Sequence, residues 1–232
     1  MGQTNYYNNV KDKLSVMVTE RPELLLILSH FGIGLGIGDK SIEQVCREHN
    51  IDPKLFILVC NVSSFNRYDT SNVNLTDISM DALVPYLTRS HAYYLNKRLP
   101  HIRHHLDTIA NLLPDKAATA LRRFYDAYIN DVTQHFQHEE SIVYPLIETL
   151  RDKHNDEYTI DDFINNHGNL EDTLGDLSQI IFKYLPANAT DDDAIDMIFD
   201  ILELQRDLHH HALIEEKILV PYVRNLEKKH KA

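Results

Sequence analysis

The sequence has no tryptophan, only two cysteines and no long hydrophobic run, and each of these absences excludes a class of protein. Cys46 and Cys60 lack C-x-x-C spacing, so they predict buried thiols in a reducing cytoplasm rather than a disulfide framework. The longest strictly apolar run, residues 24–28, is far too short to cross a bilayer. The amino-terminal residues have no apolar stretch, so no signal peptide and no membrane association are predicted.

Basic charge is also scarce. The chain has 23 lysines and arginines against 35 aspartates and glutamates, which gives a formal net charge of −12. Nucleic-acid binding needs clustered Lys and Arg side chains to neutralise phosphates. The charge balance therefore predicts that nucleic acid is not a partner.

The most informative feature that is present is a duplicated motif. His135 and His211 each begin the pattern H-x-x-x-E-E-x-I-[VL]-x-P, and they lie 76 residues apart. Two further histidines, His91 and His167, are also 76 residues apart, and each precedes its motif by 44 residues. A single such spacing carries little weight, but a repeat of both spacings indicates one site assembled from two matching halves.

Helical geometry explains the short spacing within each motif. Residues i and i+4 share one face of an α-helix, so His135 and Glu139 project side by side, as do His211 and Glu215. These polar residues lie on the apolar face of each predicted helix, within a stripe of hydrophobic residues spaced three or four apart, and not on the opposite face. Because burying an unsatisfied imidazole or carboxylate is costly, a bound group is expected to satisfy them. The simpler interpretation, core histidines hydrogen-bonded to glutamates, does not account for the duplication.

After residue 80 the chain has the three- and four-residue hydrophobic spacing of amphipathic helices. Four stripes are separated by breaks at Pro114-Asp115, at residues 152–158 and at residues 186–190. The second stripe continues beyond Glu139 through Ile142 and Leu146. Short connections favour antiparallel neighbours, so we predict an all-α protein whose residues 79–232 form an up-down-up-down four-helix bundle.

The first 78 residues differ in character and predict a small helical domain that ends in a linker at residues 62–78. Short helices are predicted near residues 9–20, 22–30, 41–50 and 53–61. Ser41 and Asp52 are the predicted N-caps, and Pro53 fits the first helical position. The glycine-rich segment 32–38 lacks the spacing of a phosphate-binding loop, so no nucleotide site is predicted there.

Imidazole and carboxylate ligands suit iron, manganese or zinc. Four histidines and two glutamates are too many for one tetrahedral zinc ion and suit two ions. If both carboxylates bridge, each octahedral ion keeps about two open positions for a solvent bridge and a small ligand such as O2 or NO. Two iron ions with an oxo or hydroxo bridge are therefore expected, in preference to manganese or zinc.

Residues 80–229 resemble a hemerythrin-like (HHE cation-binding) domain, in the order H…HxxxE…H…HxxxE. The E-E-x-I-[VL]-x-P segments are similar to those of the di-iron Repair-of-Iron-Centres family, which is implicated in restoring iron–sulfur clusters after nitrosative or oxidative damage. The resemblance implies bridging glutamates and the following metal ligands: His91, His135, Glu139, His167, His211 and Glu215.

The amino-terminal segment resembles the same family in part. Members carry a pattern like F-G-I-D-F-C-C-G-G-K, and residues 31–40 match it at Phe31, Gly32, Ile33, Gly38 and Lys40. Residues 36 and 37, glycine and isoleucine, replace the paired cysteines, so no thiol role is carried over to this chain.

Three functions remain open at this point. The first is a cytoplasmic stress protein that assists the repair of iron–sulfur proteins. The second is a non-catalytic binder or sensor of O2 or NO, and the third is a di-iron oxidoreductase acting on NO, nitrite or peroxide. Neither catalytic turnover nor the oligomeric state follows from the sequence. Six further histidines are predicted to have solvated or supporting roles: His101, His104, His105, His138, His209 and His210.

Overall fold

A computed structural model describes residues 6–151, 159–166, 170–184 and 192–231. The described residues are helical and contain no β-strand, which confirms the predicted all-α class. None of their helices is long and apolar enough to cross a membrane. The chain divides into two compact units, residues 1–90 with 210–232, and residues 91–209. The predicted domain boundary near residue 78 stays a prediction.

Twelve α-helices occur among the described residues. They are α1 Leu14–Glu20, α2 Leu24–His30, α3 Ile42–Glu48, α4 Pro53–Ser64, α5 Leu83–Tyr93, α6 Leu99–Ala110, α7 Asp115–His138, α8 Tyr144–Arg151, α9 Ile160–Asn166, α10 Leu170–Tyr184, α11 Asp192–Ile214 and α12 Val220–Lys231. Of the predicted breaks, the one at Pro114 is confirmed, because α7 begins at the next residue. Residues 152–158 and 186–190 lie outside the described residues.

The first unit starts with short helices whose ends are set by local side chains. Ser41 accepts a hydrogen bond from the Gln44 backbone, and the Gln44 side chain accepts one from the Ser41 backbone, which forms a capping box. Asp52 accepts from the Lys54 backbone N–H at 2.8 Å, and Pro53 occupies the first turn of α4. The predicted N-caps are therefore confirmed.

A backbone turn with positive φ follows α2. Gly32 has φ +76°, a backbone conformation that residues with a side chain rarely adopt. A Cβ at this position would have room, at an ordinary contact distance of 3.5 Å from the Arg89 guanidinium, so the positive φ is what favours glycine; Arg89 itself donates a hydrogen bond to the His30 carbonyl. The glycine therefore lets the chain turn where Arg89 of α5 packs against it.

The second unit is built around one hydrophobic core. Helices α6, α7, α10 and α11 all contribute to it, including the fully buried Tyr125 and Tyr128. Two ion pairs show that helices α6 and α7 run antiparallel. Asp107 of α6 pairs with Arg122 of α7. One turn before Asp107 on α6, Arg103 pairs with Asp126, which lies one turn after Arg122 on α7. Four helices sharing one core confirm the predicted bundle.

Three π-helical segments interrupt the long helices: Tyr94–Arg98, Glu139–Val143 and Glu215–Leu219. In each, an N–H bonds to the carbonyl five residues earlier, as from Tyr144 to Glu139. A proline stands two residues after the end of each segment, at positions 100, 145 and 221. Proline lacks an N–H and its ring clashes with the carbonyl four residues back, so a wider turn before it relieves a conflict that a regular α-helix would suffer.

The π segments change which side chains are buried. The sequence stripe placed Ile142 on the same face as Glu139, but Ile142 is 41% exposed and Val143 is fully buried in its place. That part of the stripe prediction was wrong because it took a three-residue step from Glu139 to Ile142, whereas the wider π turn brings the residue four positions on, Val143, to the buried face. Leu146, one turn further on, is buried as predicted.

Candidate metal centre

His91 lies at the centre of a buried cluster in the second unit, and both of its ring nitrogens have carboxylate neighbours. Its Nε2 lies 3.2 Å from Glu139 Oε2, and its Nδ1 lies 2.9 Å from Glu140 Oε1. A metal-ligating histidine commonly donates its second N–H to a carboxylate, which fixes the tautomer and the ring orientation. With Nδ1–H donating to Glu140, the Nε2 lone pair is directed toward Glu139 and is available to a metal.

Glu139 is shared between two imidazoles. Its Oε1 lies 3.0 Å from His135 Nε2, while its Oε2 faces His91. The side chain has no exposed surface, and His135 is only 14% exposed. Neighbouring ligand atoms around an octahedral ion stand about 3 Å apart, so these separations suit atoms that share a metal coordination sphere.

Aromatic rings hold His91 in place. The imidazole stacks on Phe136 with centroids 4.0 Å apart and planes at 7°, and it lies nearly parallel to the Tyr144 ring at 5.8 Å. The Tyr144 hydroxyl lies 3.3 Å from His91 Nε2. A buried ring that is stacked on one aromatic side chain and contacted by the hydroxyl of a second has little freedom to turn, which preorganises its nitrogen for binding.

The first unit contains the second His–Glu pair. His211 Nε2 lies 3.3 Å from Glu215 Oε1, and both side chains are buried. His211 Nδ1 lies 2.9 Å from the Ser90 hydroxyl, and that hydroxyl donates its one hydrogen to the Leu87 carbonyl at 2.6 Å. Ser90 can then only accept from His211, so Nδ1 carries the proton and Nε2 keeps its lone pair for a metal.

The structure thus brings His91, His135 and Glu139 together in one unit and His211 with Glu215 in the other. His167 lies outside the described residues. Imidazole nitrogens and buried carboxylates are donors that suit iron and similar divalent ions, so the residues present fit a metal.

Three supporting residues were missed by the sequence analysis. Glu140 was visible as the second glutamate of the motif, and its repeat partner Glu216 carries the same signal. Ser90 and Tyr144 give no such signal, because their relation to the histidines arises from contacts between helices.

Comparison with known protein families matches residues 84–223 to hemerythrin, described as the hemerythrin HHE cation binding domain. The matched residues cover more than half of the chain and include both H-x-x-x-E-E motifs. Comparisons with curated proteins and with solved structures give no significant match. Because the match includes every His and Glu of the two clusters, the chain belongs to the hemerythrin HHE cation-binding family.

Proposed function

We propose that this protein holds two iron ions and binds a diatomic gas, O2 or NO, at them. The single observation that carries the proposal is the buried Glu139 carboxylate, whose two oxygens face two different imidazoles. A carboxylate in this position can bridge two ions. The proposed ligands are His91, His135, Glu139, His167, His211 and Glu215.

Joining the two His–Glu clusters into one centre is part of the proposal. Its support is the duplication in the sequence, with equal 76-residue and 44-residue spacings, and a family domain that spans both motifs. The fixed tautomers of His91 and His211 add to it, because both rings keep the same nitrogen, Nε2, for a metal. His167 is included among the proposed ligands because it is the repeat partner of His91.

The surroundings of His91 favour a small ligand. Iron would supply the redox change and the open coordination positions that a diatomic gas requires. The protein supplies hydrophobic surroundings for His91, since the rings of Phe136 and Tyr144 are buried against its imidazole. Aromatic walls that exclude bulk water strengthen polar interactions at the site and slow the escape of reactive species.

The test is iron content and gas binding of the protein, purified without chelator and reconstituted with ferrous iron in the absence of oxygen. We expect about two irons per chain, near-ultraviolet charge-transfer absorption after oxidation, and a new visible spectrum when NO is added to the reduced protein. Glu139→Ala and Glu215→Ala should lose iron, whereas His138→Ala and His209→Ala, whose side chains are predicted to face away from the ligands, should retain it. One zinc ion per chain with no iron uptake would refute the di-iron centre.

Repair of iron–sulfur proteins under nitrosative or oxidative stress in the cytoplasm is a second candidate. It is supported by the partial resemblance of residues 31–40 to the repair family and by two free, buried cysteines that suit a reducing compartment. Burial raises the pKa of the Cys46 thiol to about 12, so a repair role would act through iron and not through thiolates.

The repair candidate is tested with an NO-damaged iron–sulfur enzyme. Iron-loaded protein should restore its activity faster than an equal amount of free ferrous iron, and Cys46→Ser/Cys60→Ser protein should perform as well as wild type. Recovery no better than free iron would leave gas binding as the function.

A further inference from the structure

A second group of metal-ligand side chains lies in the second unit, away from Glu139. His101 and His105 stand one turn apart on α6, and Asp200 faces them from α11. The Asp200 Oδ2 atom lies 3.1 Å from His101 Nε2 and 3.8 Å from His105 Nε2. The two ring nitrogens are 3.4 Å apart. The three candidate donor atoms therefore form a nearly equilateral triangle.

The size of this triangle fits a metal coordination sphere. Tetrahedral ligands about 2.1 Å from zinc stand roughly 3.4 Å from one another, and adjacent octahedral ligands at that distance stand about 3.0 Å apart. The edges of 3.1, 3.4 and 3.8 Å are close to both values, so the choice of zinc rests on the ligand types. Two imidazoles and one carboxylate are also the ligand types of zinc sites that keep a fourth position open.

Arg98 holds the carboxylate in its orientation. Its Nη1 donates to Asp200 Oδ1 at 3.1 Å, and its Nη2 donates to the Asp200 backbone carbonyl at 3.2 Å. The other carboxylate oxygen, Oδ2, is left facing the histidines. Metal-bound carboxylates are commonly positioned by such outer hydrogen bonds, and the pairing is protected because Arg98 and Asp200 are 13% and 14% exposed.

The local charge favours a dication. Arg98 also pairs with Glu203 at 3.4 Å, and Asp207 lies one turn further along α11. Arg98 thus interacts with three acidic residues of α11, at positions 200, 203 and 207. Arg206, also on α11, is a second cation near Asp207. With three carboxylates against two arginines, the surroundings of Asp200 do not oppose a divalent cation.

We propose that His101, His105 and Asp200 form a mononuclear zinc site with water as the fourth ligand. His101 is 54% exposed, so the ion enters from solvent and the open position faces outward. The site is distinct from the proposed iron centre, because His101 follows His91 by ten residues, about 15 Å along a helix. By joining α6 to α11, the ion would link two helices of one core and raise the melting temperature of the protein.

The experiment compares zinc binding by iron-loaded wild-type protein with that of His101→Ala, His105→Ala and His104→Ala. His104 is the matched control, since it lies on the same helix with an exposed side chain. Calorimetric titration with zinc should show one more zinc ion per chain in wild type and His104→Ala than in the other two variants. The difference between variants isolates this site even if zinc also enters the iron centre.

Cobalt gives a second readout of geometry. Cobalt-substituted wild type should show the intense visible bands of a tetrahedral ion, and His105→Ala should lose them. Asp200→Asn should weaken binding by more than about tenfold, and Arg98→Gln, which frees the carboxylate, by about 10–100-fold. Equal zinc stoichiometry in wild type and His101→Ala would overturn the proposal, as would an equal loss in His104→Ala. Circular dichroism confirms that each variant is folded.

Discussion

The Ser90 hydroxyl and the His211 imidazole, 121 residues apart in sequence, form a buried hydrogen bond of 2.9 Å. Ser90 gives its own hydrogen to Leu87, so it can only accept from the ring. In the other cluster a carboxylate, Glu140, accepts from the Nδ1 of His91. His91 and His211 are not equivalent positions of the repeat, in which His91 matches His167 and His211 matches His135. Each is held by its own kind of acceptor, His211 by a neutral hydroxyl and His91 by a charged group.

The first prediction concerns Ser90→Ala. Without an acceptor at Nδ1, the His211 ring loses its fixed orientation, and iron affinity should fall by about 10–100-fold. Chelator competition measures this. The control is Ser178→Ala. Ser178 is also buried, but its hydroxyl donates to the Leu174 carbonyl of its own helix and not to a histidine. Equal iron affinity in Ser90→Ala and wild type would contradict the role given to the hydroxyl.

The second prediction concerns Glu140→Ala, which should also lower iron affinity by about 10–100-fold. Glu140→Gln keeps an oxygen acceptor for His91 Nδ1–H and should retain most of the affinity. The control is Glu148→Ala, because Glu148 is an exposed glutamate that pairs with Arg151 of its own helix α8, and this variant should bind iron like wild type. If Glu140→Ala and Glu148→Ala bind iron equally well, the support that Glu140 gives to His91 is disproved.

The third prediction concerns thiol reactivity. Burial raises the pKa of Cys46 to about 12 and that of Cys60 well above its usual value, so both remain protonated at pH 8. Iodoacetamide should label neither in the folded protein within an hour, and both after unfolding in guanidinium. Mass spectrometry counts the adducts. Rapid labelling of either cysteine in the native protein would show that the amino-terminal helices open readily.

The fourth prediction is a pH dependence of stability at Asp207. Its folded pKa of about 6 lies above the value of about 3.9 in an unfolded chain. The folded protein therefore binds the proton more tightly, and the destabilisation caused by the buried charge develops as pH rises from 4 to 6 and is complete above 6. Asp207→Asn should raise the free energy of unfolding by about 1–2 kcal/mol at pH 7 and by little at pH 4.

Urea unfolding at both pH values tests this prediction, with Asp196→Asn as the control because Asp196 is exposed on the same helix. A gain that is the same at pH 4 and pH 7 would contradict the prediction, because it would show that the gain does not come from ionisation of the Asp207 carboxyl.

The sequence predicted correctly which residues of each motif are neighbours, because that signal is local; that they bind a metal stays a prediction. Residues four apart on one helix must be neighbours, and this holds for His135 with Glu139 and for His211 with Glu215. Ser90 and Tyr144 could not be predicted, since their roles depend on how separate helices pack. The burial of Ile142 was predicted wrongly although Pro145, three residues later, was a visible sign of an irregular turn.

The three π segments also have a consequence for helical phase. Each adds a residue to one turn, so the helix beyond it is rotated by about 100° relative to a regular continuation. Glu139 and Val143 stand at the two ends of such a segment and are both fully buried, because the wider turn brings residues four apart back to nearly the same face. Deleting Ser141 would remove the extra residue and return this stretch to regular α-helical turns, with the residues downstream still on the faces they occupy now. The wide turn itself would be lost, so the ring of Pro145 would meet a backbone carbonyl of the preceding turn, and the cost would fall beside Glu139.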